Sequence, residues 1–100
     1  MNLQQQQAIQ LLKTIIDPEI NLDIYTLGLI YSVQFDEGVL AILMTFTTPF
    51  CPFADSILEQ IETLLGVIDG VESVVIELTF EPAWSEDMIS ETAKLEKGLI

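Results

Sequence analysis

Apolar residues near the start of the chain are spaced as on one face of a helix. They recur three and four positions apart between residues 8 and 16, which is the period of an amphipathic helix. They are Ala8, Ile9, Leu11, Leu12, Ile15 and Ile16. Asn2 is available as an N-cap, and Pro18 disfavours a helical backbone at Asp17. The pattern therefore predicts a first helix that ends near Ile16.

Two adjacent apolar stretches predict a β-hairpin. In residues 29–35 large apolar or aromatic side chains occupy every second position, which is the period of a strand. Asp36-Glu37-Gly38 supplies a tight turn, because Gly38 tolerates a positive φ angle. Residues 39–46 are a nearly unbroken apolar run, so we expect this second strand to be covered on both faces.

The second half of the chain predicts a helix, a strand and a final helix. Residues 53–68 carry an apolar stripe at helical spacing with acidic residues on the other face. After Asp69-Gly70, residues 74–80 alternate as in a third strand. Ser85, followed by two acidic residues, is typical of a capped helix start, and Gly98 would end that helix.

This order of elements predicts one α+β domain over residues 1–100. The elements follow as helix, β-hairpin, helix, strand and helix, without an internal repeat or a linker. A small mixed sheet of about three strands packed against helices fits this order. The length agrees, because compact domains run from about 50 to 200 residues.

The charge balance excludes several classes of partner. The chain has 3 basic residues, all lysines, against 16 acidic ones, and its formal net charge is −13. Nucleic acids and anionic membranes are attracted by Lys and Arg, so we expect neither as a partner. No apolar run approaches the roughly 20 residues of a membrane span, and the start of the chain has no signal-peptide pattern. We expect a cytoplasmic protein.

The absence of histidine narrows the chemistry further. With no His and a single Cys, the chain has no Ser-His-Asp or Cys-His pair. An enzyme that used Cys51 as a nucleophile would need an unusual base such as Glu19, so we expect no enzyme. One cysteine cannot complete a metal–thiolate site, and a second chain would have to supply further ligands. A shared site and the exposed edges of a small sheet favour a homodimer.

Cys51 is the first candidate for a functional residue. It precedes Pro52, a residue favoured at the first position of a helix, so Cys51 is a predicted N-cap. The helix dipole there stabilises a thiolate, whereas the negative charges of the protein, including Asp55, oppose it. We expect the local dipole to prevail modestly and to lower the thiol pKa. The alternative is an inert, buried apolar cysteine.

Three other groups of residues could contribute to a site. Hydroxyls come just before the thiol, at Thr45, Thr47 and Thr48; their alternative role is β-propensity and turn capping. Hard oxygen ligands lie close together at Asp17, Glu19 and Asp23; a solvated acidic loop is the alternative. Trp84 is either an interface anchor or a lid on the core.

Four motifs in order resemble the metal-sulfur cluster biosynthesis family, which includes SufT-like and PaaD-like proteins. They lie at residues 17–19 (DPE), 23–31 (DIYTLGLIY), 45–52 (TFTTPFCP) and 82–85 (PAWS) with 87–90 (DMIS). The resemblance covers essentially residues 11–90. It implies a small α+β accessory factor in the assembly of iron-sulfur clusters or their delivery to target proteins.

The resemblance also implies a site and partners. Asp17, Glu19, Thr47, Thr48 and Cys51 would meet in one surface site, with Cys51 as a transient ligand of iron or an iron-sulfur cluster and no cofactor tightly bound. The partners would be iron-sulfur assembly proteins or client apoenzymes.

A PaaD-like role is the alternative that the same resemblance allows. The chain would then be a non-metal protein–protein adaptor for maturation of a multicomponent oxygenase, with Cys51 structural. Because the chain lacks the cysteine-bearing C-terminal region of PaaD-like members, the resemblance favours a general maturation factor.

Overall fold

The computed structural model describes residues 2–89, which form two α-helices and five strands. The helices are α1, Leu3–Leu12, and α2, Ala54–Leu65. The strands are β1, Ile16–Asp17; β2, Leu22–Asp23; β3, Ile30–Asp36; β4, Val39–Met44; and β5, Ser73–Leu78. A short 3-10 helix follows at Glu86–Met88.

The main sheet has the strand order β3-β4-β5 and is mixed. β3 and β4 are antiparallel neighbours, joined by a turn in which Glu37 (φ 48°) and Gly38 (φ 84°) both have positive φ, as the tight turns of hairpins require. β5 returns after α2 and pairs with β4 in parallel. The predicted α+β class and small mixed sheet of three strands are confirmed, while β1 and β2 form a separate short ladder.

The core lies between one face of this sheet and both helices. β4 buries Leu40, Ile42 and Met44, and they join one apolar cluster with the inner faces of α1 and α2. On its other face Val39 is 39% exposed and Ala41 is half-buried. The expected cover on both faces is therefore not found among the described residues.

The first helix starts as predicted but ends earlier. The Asn2 side chain accepts the Gln5 N–H at 2.9 Å, and the Gln5 side chain in turn accepts the Asn2 N–H, which is a capping box. The expected end near Ile16 is wrong, because α1 stops at Leu12. Ile15 is instead buried and accepts the Ile24 N–H at 2.9 Å, so the chain is already extended where β1 begins.

Two other helix predictions need correction. Cys51 is not the N-cap of α2: the cap is Phe53, without a side-chain hydrogen bond, and residues 51–53 form a preceding turn. Ser85 is the N-cap residue of the 3-10 helix, as predicted, but its side chain makes no capping hydrogen bond. Ile89 is extended (φ −77°, ψ 139°), so a regular helix does not run through it. Residues 90–100, including the predicted stop at Gly98, lie outside the described residues.

None of the helices described between residues 2 and 89 is long and apolar enough to cross a membrane.

Candidate functional site

The turn between β1 and β2 buries the carboxylate of Asp17. Asn21 has a φ of 63° and donates its N–H to the Asp17 carbonyl oxygen at 2.7 Å, which closes the turn. The Asp17 side chain is 1% exposed, and its Oδ1 accepts the Glu19 N–H at 2.8 Å. Its Oδ2 is also buried but has no hydrogen-bond partner. Buried polar atoms without a partner are rare in folded proteins.

The segment after β2 connects this turn to the end of β4. Asp23 Oδ2 accepts the Thr26 N–H at 2.8 Å, so its carboxylate holds the local turn. Gly28 follows with a φ of 88°, and the buried Leu29 accepts the Thr45 N–H at 2.9 Å through its carbonyl oxygen. This bond joins the segment before β3 to the end of β4.

The three threonines have different surroundings. Thr45 is fully buried, and its Oγ1 donates to the Phe46 carbonyl oxygen at 3.3 Å. Thr47 and Thr48 are half-buried, and Thr48 Oγ1 accepts the Phe50 N–H at 3.3 Å. Thr48 therefore caps its own turn, which is the structural role that the sequence left open.

Cys51 is half-buried beside the acidic turn. Burial raises the pKa of its thiol above the ordinary value, and the negative charges of Asp17 and Glu19 raise it further, against a hydrogen bond from the Phe53 N–H that lowers it. The predicted lowering of the pKa is wrong. Burial and two nearby carboxylates outweigh the single N–H of the turn.

Two of the predicted site residues act on the cysteine through their charge. Asp17 and Glu19 lie near enough to Cys51 to raise the pKa of its thiol, whereas the hydrogen bonds of Asp23 and Thr48 are local, to the backbone N–H groups of Thr26 and Phe50. Across residues 2–89 there is no group of three or more His, Cys, Asp or Glu side chains that could hold a metal ion.

The aromatic residues around the site divide into one that packs and one that is exposed. Trp84 is half-buried against the core, and its Nε1 donates to the Leu27 carbonyl oxygen at 2.8 Å, so it is a lid on the core. Phe50, next to Cys51, is 87% exposed. Phe50 was not among the predicted site residues, although its position between two prolines in the loop before α2 was a usable signal.

Fold and site together define a small α+β domain that presents one cysteine beside a buried carboxylate. The chain belongs to the iron-sulfur cluster assembly protein family, whose model matches residues 5–78. The family expected from the four motifs is thereby confirmed.

Proteins with similar sequences are maturation factors. The chain is 43% identical over 97 residues to an Fe-S protein maturation auxiliary factor of Porphyromonas gingivalis, covering 96% of this chain and 92% of that protein. It is 38% identical over 86 residues to the Fe-S protein maturation auxiliary factor SufT of Staphylococcus aureus, covering 85% and 98%.

A more distant relative and a solved structure extend this comparison. An iron-sulfur cluster carrier protein of Synechocystis is 30% identical over 74 residues, which are 74% of this chain and 21% of that protein. A crystal structure of a domain of unknown function from Bacillus anthracis superposes with a TM-score of 0.89 at 30% identity, covering 97% of this chain and 93% of that one. The chain therefore shares the fold of that solved domain.

Proposed function

We propose that this chain is an accessory factor that helps iron-sulfur clusters reach client proteins, with Cys51 as a transient ligand of the iron cargo. The observation that carries the proposal is the position of Cys51, the single cysteine, half-buried at the surface beside Asp17 and Glu19. Relatives named as maturation factors and a carrier support this role. A free cysteine used in cluster handling favours a reducing compartment such as the cytoplasm.

The site needs a second protein. Clusters are held by several thiolates, and this chain contributes one. The remaining ligands would come from an assembly protein, a client apoenzyme or a second copy of the chain. If the second protein is another copy of this chain, the two Cys51 thiolates of a homodimer would hold the iron cargo together.

The proposed role is not enzymatic. A nucleophilic thiol needs a lowered pKa or an adjacent base, whereas burial and the carboxylates raise the pKa of Cys51, and the chain has no histidine. A ligand needs no free thiolate in advance, because a metal ion displaces the thiol proton when it binds.

The test is cluster transfer to an apo-aconitase after anaerobic reconstitution with ferrous iron and sulfide. We expect the wild type to accelerate transfer and Cys51→Ser to abolish the gain. The matched control is the double variant C51S/S73C, which keeps one thiol on an exposed position at the start of β5, far from the strand end that leads to Cys51. Equal activity of the wild type and Cys51→Ser would contradict the proposal.

A second candidate function is a protein–protein adaptor in which Cys51 is structural. The observation that favours it is Phe50, an aromatic side chain that is 87% exposed beside the site; aromatic side chains are enriched among the anchors of protein interfaces. Native mass spectrometry of the reconstituted protein separates the two functions. A cluster that depends on Cys51, at less than one per chain, supports the shared carrier, and protein binding without any cluster supports the adaptor.

A further inference from the structure

Strand β5 lies at an edge of the main sheet, with β4 on one side and no strand on the other among residues 2–89. The N–H groups of Ser73 and Thr79, at its two ends, both donate to carbonyl oxygens on the β4 side. Successive residues of a strand direct their backbone groups alternately to its two sides. The N–H and C=O groups of Val74 and Ile76 therefore point to the side that has no strand in the described structure.

The side chains of β5 are apolar for a strand with an open edge. Glu77 is its single charged residue, in a chain that has 16 acidic residues. Val75 is 51% exposed and Leu78 is 43% exposed. Edge strands are usually shielded by charges, proline or a bulge, and an apolar edge without such a shield is a template for pairing with another chain.

The opposite edge of the sheet, β3, is protected by the protein itself. Gln5 of α1 donates its side-chain N–H to the Val33 carbonyl oxygen at 2.8 Å, and the exposed Gln34 gives this strand a polar face. After β5 the chain crosses toward β3, where the Tyr31 hydroxyl donates to the Pro82 carbonyl oxygen. β5 is therefore the edge of the main sheet that residues 2–89 leave open.

We propose that two copies of this chain pair through β5, antiparallel and about a twofold axis at Val75, so that the two three-stranded sheets become one sheet of six strands. In this register the Val75 side chains of the two copies face each other. On either side of the axis Val74 is opposite Ile76, and Ser73 is opposite Glu77. Val74 and Ile76 exchange backbone hydrogen bonds through the groups that point to the open side.

β5 is self-complementary in this register. Branched apolar side chains meet each other, each Ser73 hydroxyl can donate to a Glu77 carboxylate, and no two carboxylates are directly opposite. A twofold axis at Ile76 would instead place Glu77 against Val75, which leaves a carboxylate opposite an apolar side chain. Because the twofold pairing uses the same edge of both copies, it stops at a dimer.

The net charge of the protein weakens this dimer but does not act at the edge itself. Each copy carries a formal net charge of −13, so two copies repel each other at long range. Salt screens this repulsion and affects the apolar and backbone contacts of β5 much less. We expect the dimer to become tighter as the salt concentration rises, whereas a basic partner on an acidic surface would bind more weakly.

The dimer keeps the two Cys51 sites apart. Met44, at the end of β4, pairs with Leu78 at the end of β5, and the loop that carries Cys51 follows β4. Antiparallel pairing about Val75 places these two strand ends at opposite ends of the joined sheet, about 20 Å apart along the strand direction. The two thiols therefore do not share one cargo, and each takes further ligands from an assembly protein or a client. The dimer itself does not depend on the proposed function.

The test is sedimentation equilibrium of the full chain with reductant, from about 1 μM to 1 mM and at low and high salt. We expect a reversible dimer for the wild type and for Cys51→Ser. Ser73→Glu sets carboxylates directly opposite each other twice in the dimer and should raise the dimer Kd about tenfold. The double variant S73E/E77K makes these pairs oppositely charged and should restore the dimer. Gln34→Glu, on the exposed face of β3, adds the same charge as a matched control and should dimerise as the wild type does.

A disulfide tests the register separately. In the C51S background, Val75→Cys places two thiols on facing residues whose Cα atoms are about 4.5 Å apart, within the range that a disulfide spans, so mild oxidation should link two chains. Gln34→Cys in the same background should stay unlinked. A wild type that is monomeric at all concentrations overturns the proposal, as do larger oligomers, loss of the dimer in Cys51→Ser, equal weakening by Ser73→Glu and Gln34→Glu, or linkage through position 34 and not 75.

Discussion

The indole Nε1 of Trp84 donates a 2.8 Å hydrogen bond to the carbonyl oxygen of Leu27, a residue 57 positions earlier in the chain. The bond joins the segment after β5 to the turn that precedes β3. Tyr31 reinforces the junction, because its hydroxyl donates to the Pro82 carbonyl oxygen at 2.7 Å. The 82–85 motif is thus hydrogen-bonded to the turn before β3 and to β3 itself.

Replacement of Trp84 by phenylalanine should destabilise the protein without altering the site chemistry. Phe keeps part of the apolar contact but leaves the Leu27 carbonyl oxygen without its donor. We expect the free energy of unfolding to fall by about 1–3 kcal/mol, the usual cost of a buried polar group left unpaired. Urea denaturation followed by circular dichroism measures this loss. An unchanged unfolding midpoint would show that the bond adds nothing to stability.

Gly28→Ala should lower the stability of the fold more than Gly38→Ala does, although both glycines have a positive φ angle, 88° and 84°. Each alanine would adopt a strained backbone, at about 1–3 kcal/mol. A Cβ atom at Gly28 would also lie 2.6 Å from the Met88 carbonyl oxygen, whereas at Gly38 it would meet the Glu72 side-chain carboxylate at 2.8 Å, which can rotate away. Thermal unfolding of the two variants tests this order, and equal midpoints would contradict it.

The alkylation rate of Cys51 should be low at neutral pH and rise only above the ordinary thiol range. Burial and the charges of Asp17 and Glu19 raise the pKa of this thiol, so less reactive thiolate is present at pH 7 than in an unfolded peptide. Glu19→Gln removes one of these charges and should speed the reaction of Cys51 with iodoacetamide.

Glu72→Gln is the control for the alkylation experiment. It removes the same unit of charge from the protein, but Glu72 lies against Gly38 at the β3–β4 turn and does not act on the Cys51 pKa. An equal increase in the alkylation rate of both variants would mean that the net charge of the protein, and not the nearby charge of Glu19, controls the reactivity of Cys51.

Phe50→Ala should leave stability unchanged and weaken productive contact with client proteins. The side chain is 87% exposed, so its truncation removes almost no packing, and surface substitutions of this kind usually change stability by less than about 0.5 kcal/mol. Cluster transfer from the reconstituted protein to apo-aconitase should slow. Val67→Ala is the control, because this side chain is 80% exposed and lies beyond the C-terminal end of α2. Equal transfer rates for the two variants would contradict a role for Phe50 in contact with client proteins.

Several elements followed from local rules and were predictable. The capping box at Asn2, the turn at Gly38 and the apolar stripe of α2 depend on residues that are near in sequence. The end of α1 was not predictable in this way. Its apolar spacing continues to Ile16, but ladder pairing of Ile16 with Asp23 competes with the helix and prevails.

The class of fold, the family and the presence of a single thiol followed from the amino-acid sequence, because periodicity, charge and ordered motifs are properties of the chain alone. The burial of Asp17, the packing role of Trp84 and the raised pKa of Cys51 came only with the folded structure. These features depend on residues brought together from distant positions, and neither their desolvation nor their mutual charges can be read from local spacing.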